Sequence, residues 1–315
     1  MRIIAGDIGG TKTLLRCIED GKLALEQRFE SGSYATFDAL LTEFLARCAR
    51  PVHAACFAVA GPVLENRAEV TNLGWVIKAV ELAESFGIAE IALINDFYAI
   101  ALGVPLLEPS DCLSIHAGKR RPREPIAILG AGTGLGEATV IWSGDQWNVV
   151  PSEGGHADFA PQDELQTKLF LSLLSQYGHV SWERVCSGMG LVNIYTFLGG
   201  SKDDDPARVA ALAEAGDRVG LKAFEIFVDI YGAEAGNMAL RLLARGGVYL
   251  AGGMAAKNIK FFTDGRFVNA FLRKGRFEEL LREMPIDLIT DEKVGLRGAA
   301  EMARRIASLK RPQWD

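Results

Sequence analysis

Three runs at the start of the chain are apolar or alternate between apolar and polar residues, Arg2 to Gly6, Lys12 to Glu19 and Lys22 to Glu30. Glycine-rich or Asp-Gly turns separate them, so the pattern predicts a three-stranded meander, with Asp20-Gly21 as a hairpin signal. The same plan recurs from Pro125: a strand Ile126 to Leu129, a glycine turn Gly130 to Gly136, a strand Glu137 to Trp142, a turn Ser143 to Asp145 and a strand Gln146 to Val150. This reads as an internal duplication. Each copy is followed by a segment with apolar residues at three- and four-residue spacing, Thr36 to Ala49 and Pro161 to Tyr177, which predicts a helix.

Short apolar runs bounded by turn residues or a helix start predict further strands at His53 to Val59, Ile91 to Ile94, Cys112 to Ile115 and Gly247 to Leu250. From Ser187 to Arg245 the pattern is helical, broken at Gly199 to Pro206, with a long amphipathic helix from Asp217 to Ala244. The chain is thus α/β, and its 315 residues exceed the size at which one hydrophobic core usually stops growing. Two lobes with a cleft between them are expected. The Pro/Gly-bearing stretch Gly103 to Ser110 marks the boundary. It gives a smaller lobe over 1–106, completed by a returning terminal helix within 296–315, and a larger lobe over 107–295.

Composition narrows the function classes. Hydrophobic residues make up 49% and charged residues 23%, a globular balance that allows a substantial core. A net charge of -6 offers no counterion-releasing surface for nucleic acid or anionic lipid. The five cysteines, Cys17, Cys48, Cys56, Cys112 and Cys186, are scattered without metal-ligand spacing and read as reduced core residues. Asp7 interrupts the first apolar run, which therefore lacks the uninterrupted core of a signal peptide. The stretch Ile91 to Leu107 is too short and too broken to span a bilayer. A cytoplasmic protein is expected.

Three glycine turns carry candidate chemistry. Gly6-Asp7-Ile8-Gly9-Gly10-Thr11-Lys12-Thr13 sets backbone donors, a hydroxyl and a carboxylate at the carboxyl end of a predicted strand, where open α/β sheets bind ligands. Glycine lets a backbone approach phosphate oxygens, and Asp7 is suited to hold magnesium directly or through water. The same turn also reads as a tight hairpin. It is not a Walker A loop, because Thr11 rather than Gly precedes Lys12. The second turn, Gly130 to Gly136, places glycine at every second position and never matches GxGxxG, which disfavours a dinucleotide fold. The third, Ala251-Gly252-Gly253-Met254, joins a strand to a helix in a geometry suited to a flat ring or a phosphate.

Candidate polar ligands follow. Asn95 and Asp96 come directly after the strand Ile91 to Ile94, where they can face a ligand or cap the next helix, and one residue can do each. Ser152-Glu153-Gly154-Gly155-His156 presses an acid and an imidazole toward one space, although a lone His is usually structural. Glu183 by itself reads as an exposed first-turn helix carboxylate.

Taken together these motifs resemble the bacterial glucokinase family, of the actin-like, ribonuclease H-like duplicated ATPase fold, over essentially the whole chain. Ala5 to Lys12 is similar to its first phosphate loop, Leu129 to Gly136 to its second, and Leu250 to Met254 to the segment that meets adenosine. Ala60-Gly61-Pro62, Thr71-Asn72-Leu73 with Trp75, Ile94 to Phe97, Ser152 to His156, Glu183-Arg184-Val185 and Ser187-Gly188 match in order and spacing. The resemblance implies Asn95, Asp96, Glu153, His156 and Glu183 as glucose ligands, with Asp96 as general base on the 6-hydroxyl. It implies Gly9, Gly10, Thr11, Gly132, Thr133 and Gly134 as the cradle of the ATP phosphates, with Gly252 and Gly253 at the nucleotide. The related kinase, repressor and open-reading-frame superfamily usually has a cysteine-rich zinc site after its His, and its repressors have an N-terminal helix-turn-helix. Here Ala157 to Pro161 follow His156, the next cysteine is Cys186, and neither feature occurs. That places the chain in the non-zinc branch, which the resemblance suggests is commonly a homodimer. The implied reaction is ATP-dependent phosphorylation of glucose with magnesium. Its rivals are a kinase of fructose, mannose or an amino sugar, a non-catalytic sugar or nucleotide sensor, and an actin-like ATPase or chaperone.

Overall fold

The computed structural model describes residues 1–70 and 72–308. Thr71 of the Thr71-Asn72-Leu73 motif and residues 309–315, into which the expected terminal helix and small lobe extend, lie outside the described residues. The chain divides into two compact units, one of Met1–Leu107 with the chain from Asp291 onward, the other Glu108–Thr290.

In the first unit, β1 (Arg2–Ile8), β2 (Lys12–Glu19) and β3 (Lys22–Glu30) form the antiparallel meander. After α1 (Phe37–Leu45), β4 (Ala54–Val59) pairs parallel with β1. A small separate sheet follows, of β5 (Val63–Leu64), β6 (Arg67–Val70) and β7 (Trp75–Lys78), then α2 (Ala79–Phe86). Next, β8 (Glu90–Asn95) pairs parallel with β4 and runs straight into α3 (Asp96–Gly103). The main sheet has the order β3-β2-β1-β4-β8. Its central strands are covered on both faces, which is why they read as nearly continuous apolar runs. Ile4, Ile8, Ala55 and Phe57 join the core that holds α1, whereas Ile3, Ala5, Ala54 and Cys56 join the core on the opposite face.

The second unit repeats the scheme. After β9 (Cys112–His116) come β10 (Ile126–Ala131), β11 (Leu135–Ser143) and β12 (Gln146–Ser152), an antiparallel meander like the first. Four helices follow in the sequence, α4 (Glu164–Tyr177), α5 (Gly188–Phe197), α6 (Pro206–Glu214) and α7 (Arg218–Leu242). Asp163, Ser187, Asp205 and Asp217 cap them, each side chain accepting a first-turn N–H. Then β13 (Gly247–Ala251) pairs parallel with β10. Short helices α8 (Gly253–Lys257), α9 (Ile259–Thr263), α10 (Arg266–Leu272) and α11 (Glu278–Arg282) lead to β14 (Ile286–Ile289), parallel to β13. The order β12-β11-β10-β13-β14 reproduces that of the first sheet, with β9 added antiparallel at the β14 edge. The duplication expected from the two meanders therefore extends to five strands. The predicted amphipathic helix proves to be the centre of this unit: along α7 no residue from Ala223 to Leu240 is exposed.

The last described helix, α12 (Val294–Ser308), belongs to the first unit. Leu296, Ala299 and Ala303 enter the same apolar cluster as Ile3 and Ala5 of β1 and Ala54 of β4. Among the described residues no helix is long and apolar enough to cross a membrane.

Candidate active site

In the first unit the strand register brings the predicted residues to one end of the sheet. Asp7 of β1 lies beside Ala58 of β4, and the next residue of β4, Val59, lies beside Asn95 of β8. Asp7 is thus placed near Asp96, the first residue of α3. Burial, and then the charge of Asp96, push the Asp7 carboxyl up to about 6. Its side chain makes no hydrogen bond among the described residues.

The capping reading of the Asn-Asp pair holds for Asn95. Asn95 is the helix cap, its Oδ1 accepting from Phe97 N at 2.9 Å and Tyr98 N at 3.1 Å. Its Nδ2 donates to Gly61 O and to Asp96 Oδ1, both at 3.0 Å. Asp96 Oδ1 also accepts from Phe97 N at 2.8 Å, while Oδ2 has no partner among the described residues. Burial raises the Asp96 proton affinity, and the hydrogen bonds from Phe97 and Asn95 oppose it in part. One oxygen is held in place and the other is left available, which suits a base.

The turn from Gly9 to Thr11 closes with Gly9 N donating to Lys12 O at 2.9 Å. Its carbonyls are engaged from the protein side: Gly9 O accepts from Ser31 Oγ and Thr11 O from Ser31 N, each at 2.9 Å. The N–H groups of Gly10 and Thr11 have no acceptor among the described residues.

The second unit holds the remaining candidates. Gly132 O accepts from Gly188 N, and Gly134 O from Gly132 N, both at 2.8 Å. Thr133 and Gly134 keep free N–H groups among the described residues, so this turn matches the first in exposing two consecutive donors. Glu183 departs from the helix-start reading. It lies in a turn, half-buried, its Oε2 accepting from Leu135 N at 2.9 Å. At Gly134 a Cβ would stand 2.5 Å from that oxygen, so a side chain there would displace the carboxylate. Backbone pairing sets the position of Glu183: Glu183 N donates to Gly155 O at 2.8 Å and Trp182 N to Ala157 O at 3.0 Å. The Ser152 to His156 segment is thereby docked beside it. Glu153 and His156 are both exposed, with Nε2 and Oε2 3.9 Å apart.

Gly252, directly after β13, has φ 85° and ψ 158°, a conformation essentially reserved for glycine. A Cβ would come within 2.5 Å of Ala131 O, so Gly252 is pressed against the end of β10 just before the Gly132 turn. Gly253 starts the five-residue α8.

Two buried polar residues next to the glycine turns escaped sequence reasoning. Ser31 follows β3 with no motif around it, and its fully buried hydroxyl meets Gly9 O. Glu137 is 3% exposed on β11, and its Oε1 is buried with no hydrogen-bond partner among the described residues. The only available signal for Glu137 was a charged residue directly after a glycine turn.

A glucokinase family profile matches residues 4–306. The chain belongs to the glucokinase family. A curated glucokinase of Nostoc sp. is 42% identical, the match covering 96% of this chain and 99% of that one. A glucokinase crystal structure from an Antarctic psychrotroph superposes with a TM-score of 0.87 at 30% identity, covering 96% of this chain and 99% of the other. A glucokinase of the ROK family from Streptomyces griseus, in complex with glucose and AMPPNP, gives 0.63 at 20% identity, covering 97% and 100%. At that identity the likeness concerns the fold alone, the actin-like fold of sugar kinases. The rival reading as an actin-like ATPase outside the sugar kinases is set aside by the family match.

Proposed function

We infer that this chain is a glucokinase, an ATP-dependent hexose kinase that transfers the γ-phosphoryl group to the 6-hydroxyl of glucose. Family membership supports the activity, and the glucose and AMPPNP of the Streptomyces griseus protein support the substrate pair. The observation that carries the reading is the union, in one unit, of a glycine turn offering free N–H groups with Asp96. That carboxyl is anchored through Oδ1, open at Oδ2, and more basic than usual through burial.

In this scheme Asp96 Oδ2 accepts the proton of the 6-hydroxyl as its oxygen bonds to the γ-phosphorus and the bond to the β–γ bridging oxygen breaks, releasing ADP. Asn95 fixes the carboxylate and, with Glu153, His156 and Glu183, is assigned to the sugar hydroxyls, which both donate and accept. Gly9, Gly10, Thr11, Gly132, Thr133 and Gly134 are assigned to the phosphates. Fixed N–H groups stabilise the charge there without reorganising. Gly252 and Gly253 are assigned to the nucleoside side.

Asp7 fits magnesium, since it offers a hard oxygen ligand with no hydrogen bond among the described residues to compete for it. Magnesium bound there, directly or through water, would neutralise charge on the β- and γ-phosphate oxygens. The non-zinc branch supports a homodimer, and the thiols of Cys17, Cys48, Cys56 and Cys186, none of them in a disulfide, support a reducing, cytoplasmic setting.

A coupled assay across glucose, fructose, mannose and glucosamine, each with ATP, ADP or polyphosphate and with or without magnesium, tests the reading. The expected result is the highest kcat/KM for glucose with ATP, abolished without a divalent cation. A higher value for another hexose would move the chain to that sugar. No turnover of any sugar would favour the sensor.

A further inference from the structure

The Gly9–Gly10 peptide joins two glycines, so sterics do little to decide which way its plane faces. A trans peptide carries its C=O and N–H on opposite sides, so the direction of Gly9 O sets that of Gly10 N–H. Here Gly9 O is turned inward by one contact from outside the turn, the 2.9 Å hydrogen bond from Ser31 Oγ. Ser31 is fully buried, as is Thr13, whose Oγ1 lies 2.9 Å from the same Ser31 oxygen. A serine hydroxyl has a single hydrogen, and Ser31 gives it to Gly9, so Thr13 is the donor to Ser31. The result is a directed relay from Thr13 through Ser31 to Gly9 O. The Ser31 main chain adds a second tie, N–H to Thr11 O at 2.9 Å, which does not depend on the side chain.

We propose that Ser31 is a positioning residue for phosphoryl transfer, its hydroxyl holding the Gly9–Gly10 peptide so that Gly10 N–H faces the nucleotide phosphates. This rests on the assignment of the Gly9 to Thr11 turn to ATP. Ser31 itself touches neither substrate. Without its hydroxyl the Gly-Gly peptide is free to rotate, and ATP must then select the competent orientation at a cost in affinity.

The test compares Ser31→Ala, Thr13→Val and Gly10→Val with the parent in steady-state kinetics and in equilibrium binding of a non-hydrolysable ATP analogue. Ser31→Ala should raise the KM for ATP and the analogue Kd about three- to tenfold, the worth of one hydrogen bond, with the glucose KM within about twofold. Thr13→Val deletes the other hydroxyl of the same buried pair but keeps the Ser31–Gly9 bond, so its ATP values should stay within about twofold of the parent. A merely structural role predicts equal effects from the two variants, or equal losses for ATP and glucose, and either outcome overturns the proposal. Gly10→Val separates it from its premise. If Gly10→Val weakens ATP binding and Ser31→Ala does not, the proposal fails while the phosphate turn stands; if neither does, the phosphate assignment fails too. Should Ser31→Ala not fold, Ser31→Cys, which keeps a weaker donor of similar size, should give an intermediate rise for ATP alone, and parent values in Ser31→Cys would overturn the proposal.

Discussion

Glu137→Gln should make the protein more stable at alkaline pH. Glu137 is 3% exposed, and its Oε1 is buried with no hydrogen-bond partner among the described residues. Burial, and then the charge of Glu234, push its carboxyl from 4.5 up to about 7, while Arg241 on α7 opposes the shift. Glu234 is fully buried on α7, but Asn237 and Arg241 satisfy its two oxygens at 2.8 Å each, so Glu137 is the unsatisfied member of the pair. The Ser152 to His156 turn closes over it, since a Cβ on Gly154 would overlap Glu137 Oε2.

At about 1.4 kcal/mol for each tenfold change in proton affinity, holding the proton from 4.5 to about 7 corresponds to on the order of 3 kcal/mol against ionisation in the folded chain. Below pH 4.5 both folded and unfolded chains are protonated and nothing is lost. Between about 4.5 and 7 the unfolded chain releases a proton that the folded chain keeps, so stability falls as pH rises, and it levels off above about 7. The substituted amide does not titrate, so the variant lacks this fall. Urea unfolding of parent and variant at pH 5 and pH 8 measures it. The variant should gain about 2–3 kcal/mol on the parent between the two, because pH 5 already lies inside the window. Parallel behaviour of the two proteins would refute the reasoning and would mean that Glu137 is solvated or paired in solution.

Glu183→Gln keeps an acceptor for Leu135 N but replaces the remaining acceptor with a donor, so glucose affinity should fall more than ATP affinity, read by separate titrations. Unchanged glucose affinity would leave Glu183 only its role in holding the Leu135 amide. Gly298→Ala drives a methyl into Ala99 O of α3 and should cost about 1–3 kcal/mol or more in urea unfolding, because α12 and α3 pack backbone to backbone there. A neutral effect would mean that α12 is not docked as described.

The two meanders were legible because alternation and glycine turns are local signals, and the repeated strand order follows from them. The small sheet of β5, β6 and β7 was missed because its strands are only two to four residues long, too short for the alternation of Arg67-Ala68-Glu69-Val70 to stand out, and because exposed Leu64 and Val76 blur the pattern. Four-residue β14 was missed for its length as well. For α7, the Glu and Asp residues that gave it an apparent polar face are covered and paired, buried Glu234 by Asn237 and Arg241 of the same helix and half-buried Glu225 and Asp229 by Arg266 of α10. Asp7, Asn95 and Asp96 could be placed at strand ends from local pattern alone. Glu183 could not, because its position depends on the pairing of Glu183 N with Gly155 O, 28 residues away. Glu137 and Ser31 were hidden for a related reason: a polar residue on a strand covered on both faces, or beside one, looks like surface until its neighbours are known.

The central claim is that Asp96 is a base and not only part of a helix start. Asp96→Asn keeps the shape and the hydrogen bond to Phe97 N but cannot take the 6-hydroxyl proton. Turnover of parent and variant should be measured at saturating glucose and ATP, beside melting temperature and nucleotide affinity. The account predicts a loss of on the order of 10²- to 10⁴-fold in kcat, towards the lower end if the transition state is loose, with stability changed by under about 1 kcal/mol and ATP binding nearly intact. Turnover within a few-fold of the parent would contradict it and move the search for the base to Glu153.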